Sequence, residues 1–168
     1  RVRMELHANS LAESLSRIYD GKFVPLHAPA RVSSRNIRDE LLKEDSLLPA
    51  IYLTQKLDIA VVGIGYPNEK SAIMATGYFK ENEIESLIDR KVAGELCMQF
   101  YDIYGDTAPY KDDNNVIGMD ISMLRSVPRS IGIAGGVEKL RAVRGAINGH
   151  YINTLITDIE CAEALISE

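Results

Sequence analysis

The stretch Ser130-Ile-Gly-Ile-Ala-Gly-Gly-Val-Glu-Lys139 is followed, one helix length later, by Tyr151-Ile-Asn-Thr-Leu-Ile-Thr-Asp158. This pattern predicts a strand, a glycine turn, a helix, a second strand, an acidic turn and a final helix. Two parallel strands joined by a helix leave the glycine turn at the carboxyl end of the sheet, where open α/β folds bind ligands. Backbone amides in such a turn can hold an anion, so the stretch predicts an anion site as well as a fold.

A second strand signal lies in the middle of the chain, in Asp58-Ile-Ala-Val-Val-Gly-Ile-Gly65. An apolar, branched run bounded by a charge and glycines is typical of a strand buried on both faces, and we place it at the centre of the sheet. Residues 115–119 predict a short strand, whereas residues 93–100 fit a strand or a helix. Helices are expected at 10–19, from 35, from 49 and at 83–91, with a helical turn at 121–126.

Strands that alternate with helices indicate an α/β fold with a mainly parallel sheet, covered by helices and joined by right-handed crossovers. We see no repeat or linker, so residues 1–168 are expected to form one domain. The first residues, Val2 to Met4, look like part of a strand already under way. We therefore expect the chain to be a fragment of a longer protein.

Composition excludes several classes of function. The net charge of −5 argues against nonspecific contact with nucleic acid or a membrane surface. No apolar run reaches the roughly 20 residues of a membrane-spanning helix. Cys97 and Cys161 form no CxxC pair or metal cluster, which suits a reducing cytoplasm. We predict no metal, no cofactor and no catalytic nucleophile, because no known triad or ligand spacing stands out.

Glycines at the ends of the two buried strands are the first candidate ligand contacts. Gly63 and Gly65 precede Pro67 and Asn68, so the third glycine of a dinucleotide fingerprint is absent and that interpretation fails. These glycines can contact a ligand or only permit a tight exit from the strand. Gly135 and Gly136 lie just before Lys139, a cation in a first helical turn, where a bound anion would offset its unfavourable position.

Acidic residues at turns are the second group of candidates. Glu95 lies beside apolar Leu96 and could accept hydrogen bonds from sugar hydroxyls, or could simply be an exposed acid. Asp102 is a candidate ligand contact or a turn cap, while Asp158 is expected to cap the following helix. Glu95 and Lys139 together could serve proton transfer in an isomerase, but binding needs only their charge and hydrogen bonds.

Taken in order, these motifs resemble the effector-binding domain of the SorC family of bacterial sugar-responsive transcriptional regulators. The resemblance covers nearly the whole chain and rests on these segments: Pro25-Leu-His-Ala-Pro-Ala30, Asp58 to Gly65, Val92-Ala-Gly-Glu95 with Phe100-Tyr-Asp102, Val127-Pro128, Ala134-Gly-Gly136 with Lys139, and Asn153-Thr-Leu-Ile-Thr-Asp158.

The resemblance implies a Rossmann-like, three-layer fold, similar to the group of glucosamine-6-phosphate deaminase, ribose-5-phosphate isomerase and CoA-transferase. It implies a phosphorylated sugar as effector, with Glu95 on the hydroxyls, Lys139 on the phosphate, and the glycines supplying close backbone. Such regulators bind operator DNA through an N-terminal helix-turn-helix region, which this chain lacks, and usually act as tetramers. A sugar-phosphate isomerase or deaminase is the alternative, and an oligomerisation domain with an unused pocket is a third possibility.

The chain departs from the family pattern at its start. The family's first strand usually runs into a phosphate loop with glycine and threonine or serine, whereas Arg1-Val-Arg-Met4 passes directly to Glu5-Leu-His-Ala-Asn. Either this loop is left out of the sequence at this point, which is what we expect, or this chain binds its ligand in a different way. A Cα separation near Met4 greater than about 3.8 Å would reveal the omission.

Overall fold

A five-stranded sheet forms the centre of the computed structural model, which describes residues 8–68 and 77–167. The predicted junction near Met4 lies outside the described residues. The strands are β1 (Ile59–Gly65), β2 (Gly94–Leu96), β3 (Gln99–Tyr101), β4 (Arg129–Ile133) and β5 (Thr154–Ile156), in the order β3-β2-β1-β4-β5. β1, β4 and β5 are mutually parallel neighbours, whereas β2 is antiparallel to both β1 and β3. Four of the five strands therefore run in one direction, and the predicted mainly parallel sheet is confirmed.

Three of the described α-helices precede β1, one lies between β1 and β2, and one follows each of β4 and β5. They are α1 (Ala8–Ile18), α2 (Arg35–Leu41), α3 (Leu48–Thr54), α4 (Glu81–Asp89), α5 (Leu140–Asn148) and α6 (Ile159–Ile166). Ser34 caps α2 by accepting a hydrogen bond from the Ile37 amide, and Pro49 stands in the first turn of α3. A 3-10 helix spans Ile121–Ser126, where a helical turn is predicted.

Two stretches differ from their predictions or resolve an ambiguity. Residues 93–100 mostly form the hairpin β2–β3, whose two-residue turn places Cys97 and Met98 at φ 52° and 61°. Residues 115–119 are not the predicted strand, because only an isolated bridge joins Val116 to Arg31. The Ile117 amide then donates to the Ala30 carbonyl, so this segment is held by a loop and does not join the sheet.

The larger core lies between one face of the sheet and α5. Ala60 and Ile64 of β1 point into it, and α5 buries Ala142 and Val143 completely. A Cβ atom at Gly94 would lie only 2.6 Å from the Cβ of Ala142, so glycine allows the helix to approach the hairpin closely. The first turn of α5 is thereby held near the carboxyl end of β1.

A second core lies on the opposite side of the hairpin. Phe100 and Tyr101 are consecutive in β3 and therefore point to opposite faces; Tyr101 belongs to the larger core and Phe100 to the second. Phe100 packs edge-on against Phe79, with ring centroids 5.3 Å apart, and α4 contributes Ile84 and Leu87. Helices thus flank the sheet on both sides at the hairpin, which gives three layers there.

The predicted burial of β1 on both faces is wrong for the described structure. Ala60 and Ile64 are buried, but Ile59 and Val61 are each 57% exposed. The strand lies at the sheet centre, as predicted, yet none of the described helices covers its second face. The position of a strand within a sheet does not determine whether both faces of that strand are covered. The apolar run correctly indicated that β1 is central, but it did not indicate that only one face is buried.

Candidate functional site

Glu95 lies over Gly65 at the carboxyl end of the central strand. The two residues are direct partners across β1 and β2. A Cβ atom at Gly65 would lie 2.7 Å from Cδ of Glu95, and closer still to its carboxylate. Glycine at this position therefore leaves the space that the Glu95 carboxylate occupies.

The hairpin turn holds the Glu95 carboxylate in place. The Met98 amide donates to Oε2 of Glu95 over 2.9 Å. Removal from water raises the pKa of Glu95, while the Met98 amide and the positive charge of Lys139 act in the opposite direction. The result is a partly buried acid that favours its protonated form more than a free glutamate does.

Lys139 lies in the turn that follows β4, the strand next to β1. It is the last residue of a short 3-10 turn, Val137–Lys139, which lies between β4 and α5. Lys139 therefore precedes α5, whereas the sequence predicted that it lies inside the first turn of this helix. Its charge is close enough to act on the Glu95 carboxyl. The Glu95 carboxylate therefore lies at the carboxyl end of β1, and Lys139 follows the carboxyl end of the neighbouring strand β4, from where its charge acts on that carboxylate.

Gly63 differs from Gly65 although the two residues share one face of β1. A Cβ atom at Gly63 would meet nothing within 4 Å. Packing within the described residues therefore does not require glycine here. Its contact with a ligand remains a prediction.

Gly135 and Gly136 contact an acid of the neighbouring turn. The Gly136 amide donates to Oδ2 of Asp158, and a Cβ atom at Gly135 would lie 2.8 Å from the same oxygen. Asp158 also accepts from the Cys161 amide over 2.8 Å and caps α6, as predicted. These amide hydrogen bonds lower the pKa of Asp158.

The sequence analysis missed the second role of Asp158, which is to pair with the proposed anion-binding turn. A carboxylate occupies the position where the glycine turn was expected to hold an anion. β4 and β5 are parallel neighbours that both end in a turn, so the acidic turn and the glycine turn meet at the same sheet edge. Because the sequence already predicted that both turns lie at this edge of the sheet, it could have indicated the contact between Asp158 and Gly136.

The Asp102 carboxylate is engaged in the turn that follows β3. One oxygen accepts hydrogen bonds from the amides of Tyr104 and Asp106, each over 2.9 Å. This is the Asx-turn arrangement that aspartate commonly forms. A role for Asp102 in ligand binding remains a prediction.

In the ranges 8–68 and 77–167, no three His, Cys, Asp or Glu side chains gather in a way that could hold a metal ion. None of the helices in those ranges is both long and apolar enough to cross a membrane.

Comparison with known proteins identifies the relatives of this chain. Residues 1–167 match the sequence model of the family described as "Putative sugar-binding domain". The sorbitol operon regulator of Klebsiella pneumoniae is 30% identical over 166 residues, and its full-length crystal structure superposes with a TM-score of 0.86 over 98% of this chain. The Escherichia coli transcriptional regulator LsrR is 36% identical over 142 residues, 83% of this chain.

A solved sugar-binding domain of a Vibrio fischeri transcriptional repressor is 26% identical, with a TM-score of 0.86 over 96% of this chain. The chain spans about half the length of the curated relatives, 53% of the sorbitol operon regulator and 45% of LsrR. It spans 54% of the crystallised sorbitol operon regulator and 64% of the Vibrio fischeri domain. The match is therefore to the sugar-binding part of these regulators.

Proposed function

Because this chain belongs to the sugar-binding domain family of transcriptional regulators, we propose that it recognises a phosphorylated sugar as the effector of such a regulator. The observation that carries the proposal is the Glu95 carboxyl group over Gly65 at the carboxyl end of β1, beside the turn after β4 that contains Lys139. A sugar phosphate presents hydroxyl donors and a dianion, and these two side chains offer the complementary acceptor and cation.

In this proposal each candidate has a distinct role. Glu95 accepts hydrogen bonds from sugar hydroxyls, and Lys139 pairs with the phosphate. Gly135 and Gly136 bring the backbone close to the phosphate. Gly63 leaves room for the sugar above β1, and Gly65 leaves the space from which the Glu95 carboxylate contacts it. Asp102 contributes a further acceptor at the end of β3.

The effector acts by allostery. Operator DNA is bound by a separate N-terminal domain of a longer, cytoplasmic protein that functions as a tetramer. The effector domain shifts the equilibrium between different arrangements of this tetramer. The net charge of −5 is consistent with DNA contact elsewhere in the protein. The sugar must bind one arrangement better than another, because equal affinity for both would shift no population.

A calorimetric titration with hexose and pentose phosphates, and with the same sugars lacking phosphate, tests the proposal. Lys139→Ala should weaken phosphosugar binding by about 1.5 to 3 kcal/mol, the value of a hydrogen bond to a charged group. Affinity for the unphosphorylated sugar should change little. Arg141→Ala, which removes an exposed cation two residues further along, is the matched control. Equal losses for both sugars would refute the phosphate role of Lys139.

We further propose that the domain binds its sugar without turnover. The relatives named above are regulators, which supports binding as the role of this fold. Incubation with aldose phosphates should yield no ketose, and incubation with amino-sugar phosphates should yield no deaminated product. Product that disappears in Glu95→Gln would instead establish an isomerase or deaminase.

A further inference from the structure

Asp158 occupies an amide that the proposed function assigns to a phosphate. The Gly136 amide donates to Oδ2 of Asp158, and a Cβ atom at Gly135 would lie 2.8 Å from the same oxygen. Glycine turns between a strand and a helix hold anions through amides of this kind. The anion in contact with this turn is therefore a carboxylate of the protein itself.

A second carboxylate lies over the same turn. A Cβ atom at Gly136 would lie 2.6 Å from Cδ of Glu138, so the Glu138 side chain folds back over the glycine two positions before it. Gly136 has a φ of 96°, a conformation that favours glycine, and the turn closes with the Lys139 amide donating to the Gly136 carbonyl over 3.0 Å. An incoming anion thus meets Lys139 together with the negative charge of two acids.

Asp158 also joins the glycine turn to α6. Its Oδ1 accepts a hydrogen bond from the Cys161 amide over 2.8 Å, in the first turn of that helix. The Cys161 side chain is buried in the larger core, which fixes this end of the bridge. A carboxylate can bridge two donors because it has two acceptor oxygens, whereas a carboxamide has only one. The charge and the shape of Asp158 are therefore both used in the link.

A phosphate at the Gly135–Gly136 turn and the Asp158 carboxylate would compete for one N–H group. Two unit negative charges about 4 Å apart in water repel each other enough to weaken binding about fivefold. A phosphate monoester carries more charge than a carboxylate and has three acceptor oxygens. It is therefore the stronger ligand for the Gly136 amide and for Lys139, and it can replace the carboxylate.

We propose that Asp158 is an internal competitor of the effector phosphate, which holds the Gly136 amide in the effector-free domain and is displaced when the effector binds. Displacement breaks the link between the glycine turn and the first turn of α6, so α6 senses whether the site is occupied. The bridge exists in one state and not in the other, as a ligand-driven switch requires. This inference rests on the proposed function in placing a phosphate at this turn.

Asp158→Asn separates the two contacts of the bridge. Its single carbonyl oxygen can still cap α6 at the Cys161 amide, because asparagine is as good a cap as aspartate, while the Gly136 amide loses its charged acceptor. Glu160→Gln is the matched control, since it removes the same charge from the same helical turn. Asp158→Ser, which retains a capping oxygen on a shorter side chain, replaces Asp158→Asn if that variant does not fold.

Methyl phosphate is the probe, because it is a phosphate monoester without a sugar. We would titrate it into ¹⁵N-labelled protein at about pH 7.5, where a monoester is largely dianionic, and follow the Gly136 and Cys161 amide resonances by NMR. Both resonances should move together in the native protein. In Asp158→Asn only the Gly136 resonance should move, and methyl phosphate should bind about fivefold more tightly. Glu160→Gln should keep both responses and change the affinity by about twofold or less.

Three results would overturn the proposal. They are equal affinity of the native protein and Asp158→Asn, a Gly136 amide that responds in neither protein, and a Cys161 response that is absent from the native protein or persists in Asp158→Asn. Failure of the proposed function has a different signature. Sugar phosphates that bind no better than methyl phosphate would refute the sugar and leave Asp158 as the competitor, whereas tight binding of a sugar phosphate with the Gly136 amide unmoved would refute this inference alone.

Discussion

Gly65 and Glu95 occupy one shared space at the end of the central strand. The carboxylate fills the volume that a side chain at position 65 would need, since a Cβ atom there would lie 2.7 Å from Cδ of Glu95. The Met98 amide fixes the same carboxylate from the hairpin turn. Because Gly65 has no side chain, the carboxylate of Glu95 on the neighbouring strand can occupy this space.

Gly65→Ala should displace Glu95 and destabilise the protein by about 1 to 3 kcal/mol, the usual effect of overpacking. Gly63→Ala is the matched control, because a Cβ atom there meets nothing within 4 Å, and it should change stability by about 0.5 kcal/mol or less. Urea unfolding measures both. Glu95→Ala combined with Gly65→Ala should be less destabilised than the sum of the single changes. Additive effects would show that the two residues do not compete for space.

Glu95→Gln should become more stable relative to the native chain as pH rises. The folded-state pKa of Glu95 lies above its ordinary value, so ionisation is less favourable in the folded state than in the unfolded state. The native chain has its full stability below the ordinary pKa and loses part of it as pH rises through the raised one. Urea unfolding at several values between about pH 4 and pH 8 checks this. Parallel stability curves for the two proteins would contradict the prediction.

Asp158→Ala should lower the melting temperature at neutral pH, because α6 loses its cap and the Gly136 amide loses its acceptor. The pKa of Asp158 is depressed in the folded state. Its contribution is therefore present above the ordinary aspartate pKa and is lost as pH falls through the depressed value. Glu160→Ala, an exposed acid in the same helical turn, is the control and should have a smaller effect. An equal effect of the two substitutions would remove Asp158 from this role.

Asp158→Asn should bind a phosphosugar more tightly than the native chain. A phosphate at the Gly135–Gly136 turn would be repelled by the carboxylate that now accepts the Gly136 hydrogen bond, whereas a neutral amide would not repel it. Calorimetry at low and high salt measures the difference, which should shrink as salt screens the charge. Unchanged affinity would place the phosphate away from Gly136.

Cys97→Asn should stabilise the hairpin by up to about 1 kcal/mol, because asparagine tolerates the left-handed conformation that a two-residue turn requires. Cys97 is exposed, so its replacement sacrifices little packing. Urea unfolding provides the measurement. Loss of stability would indicate that the Cys97 side chain makes a contribution beyond the turn.

The sequence indicated candidate site residues because the relevant signals are local. Glycines at strand ends, an acid beside an apolar segment and a lysine before a helix are all visible in short windows, and the alternation of strands and helices places them at one sheet edge. Residues 93–100 could not be assigned in this way. A short apolar run fits a strand or a helix, and only its pairing with β1 decides between them.

By itself, the sequence determined the closing order of strand, helix, strand and helix, the centrality of β1 and the cap on α6, because each depends on side chains within a few positions of one another. Tertiary structure alone decided that Asp158 contacts Gly136, 22 residues away, and that Glu95 fills the space above Gly65. It also decided that, within residues 8–68 and 77–167, one face of β1 is packed in the core and the other is exposed. The physical reason is that burial of an apolar side chain is energetically favourable wherever it occurs, whereas whether the side chain is buried depends on which other segment packs against it.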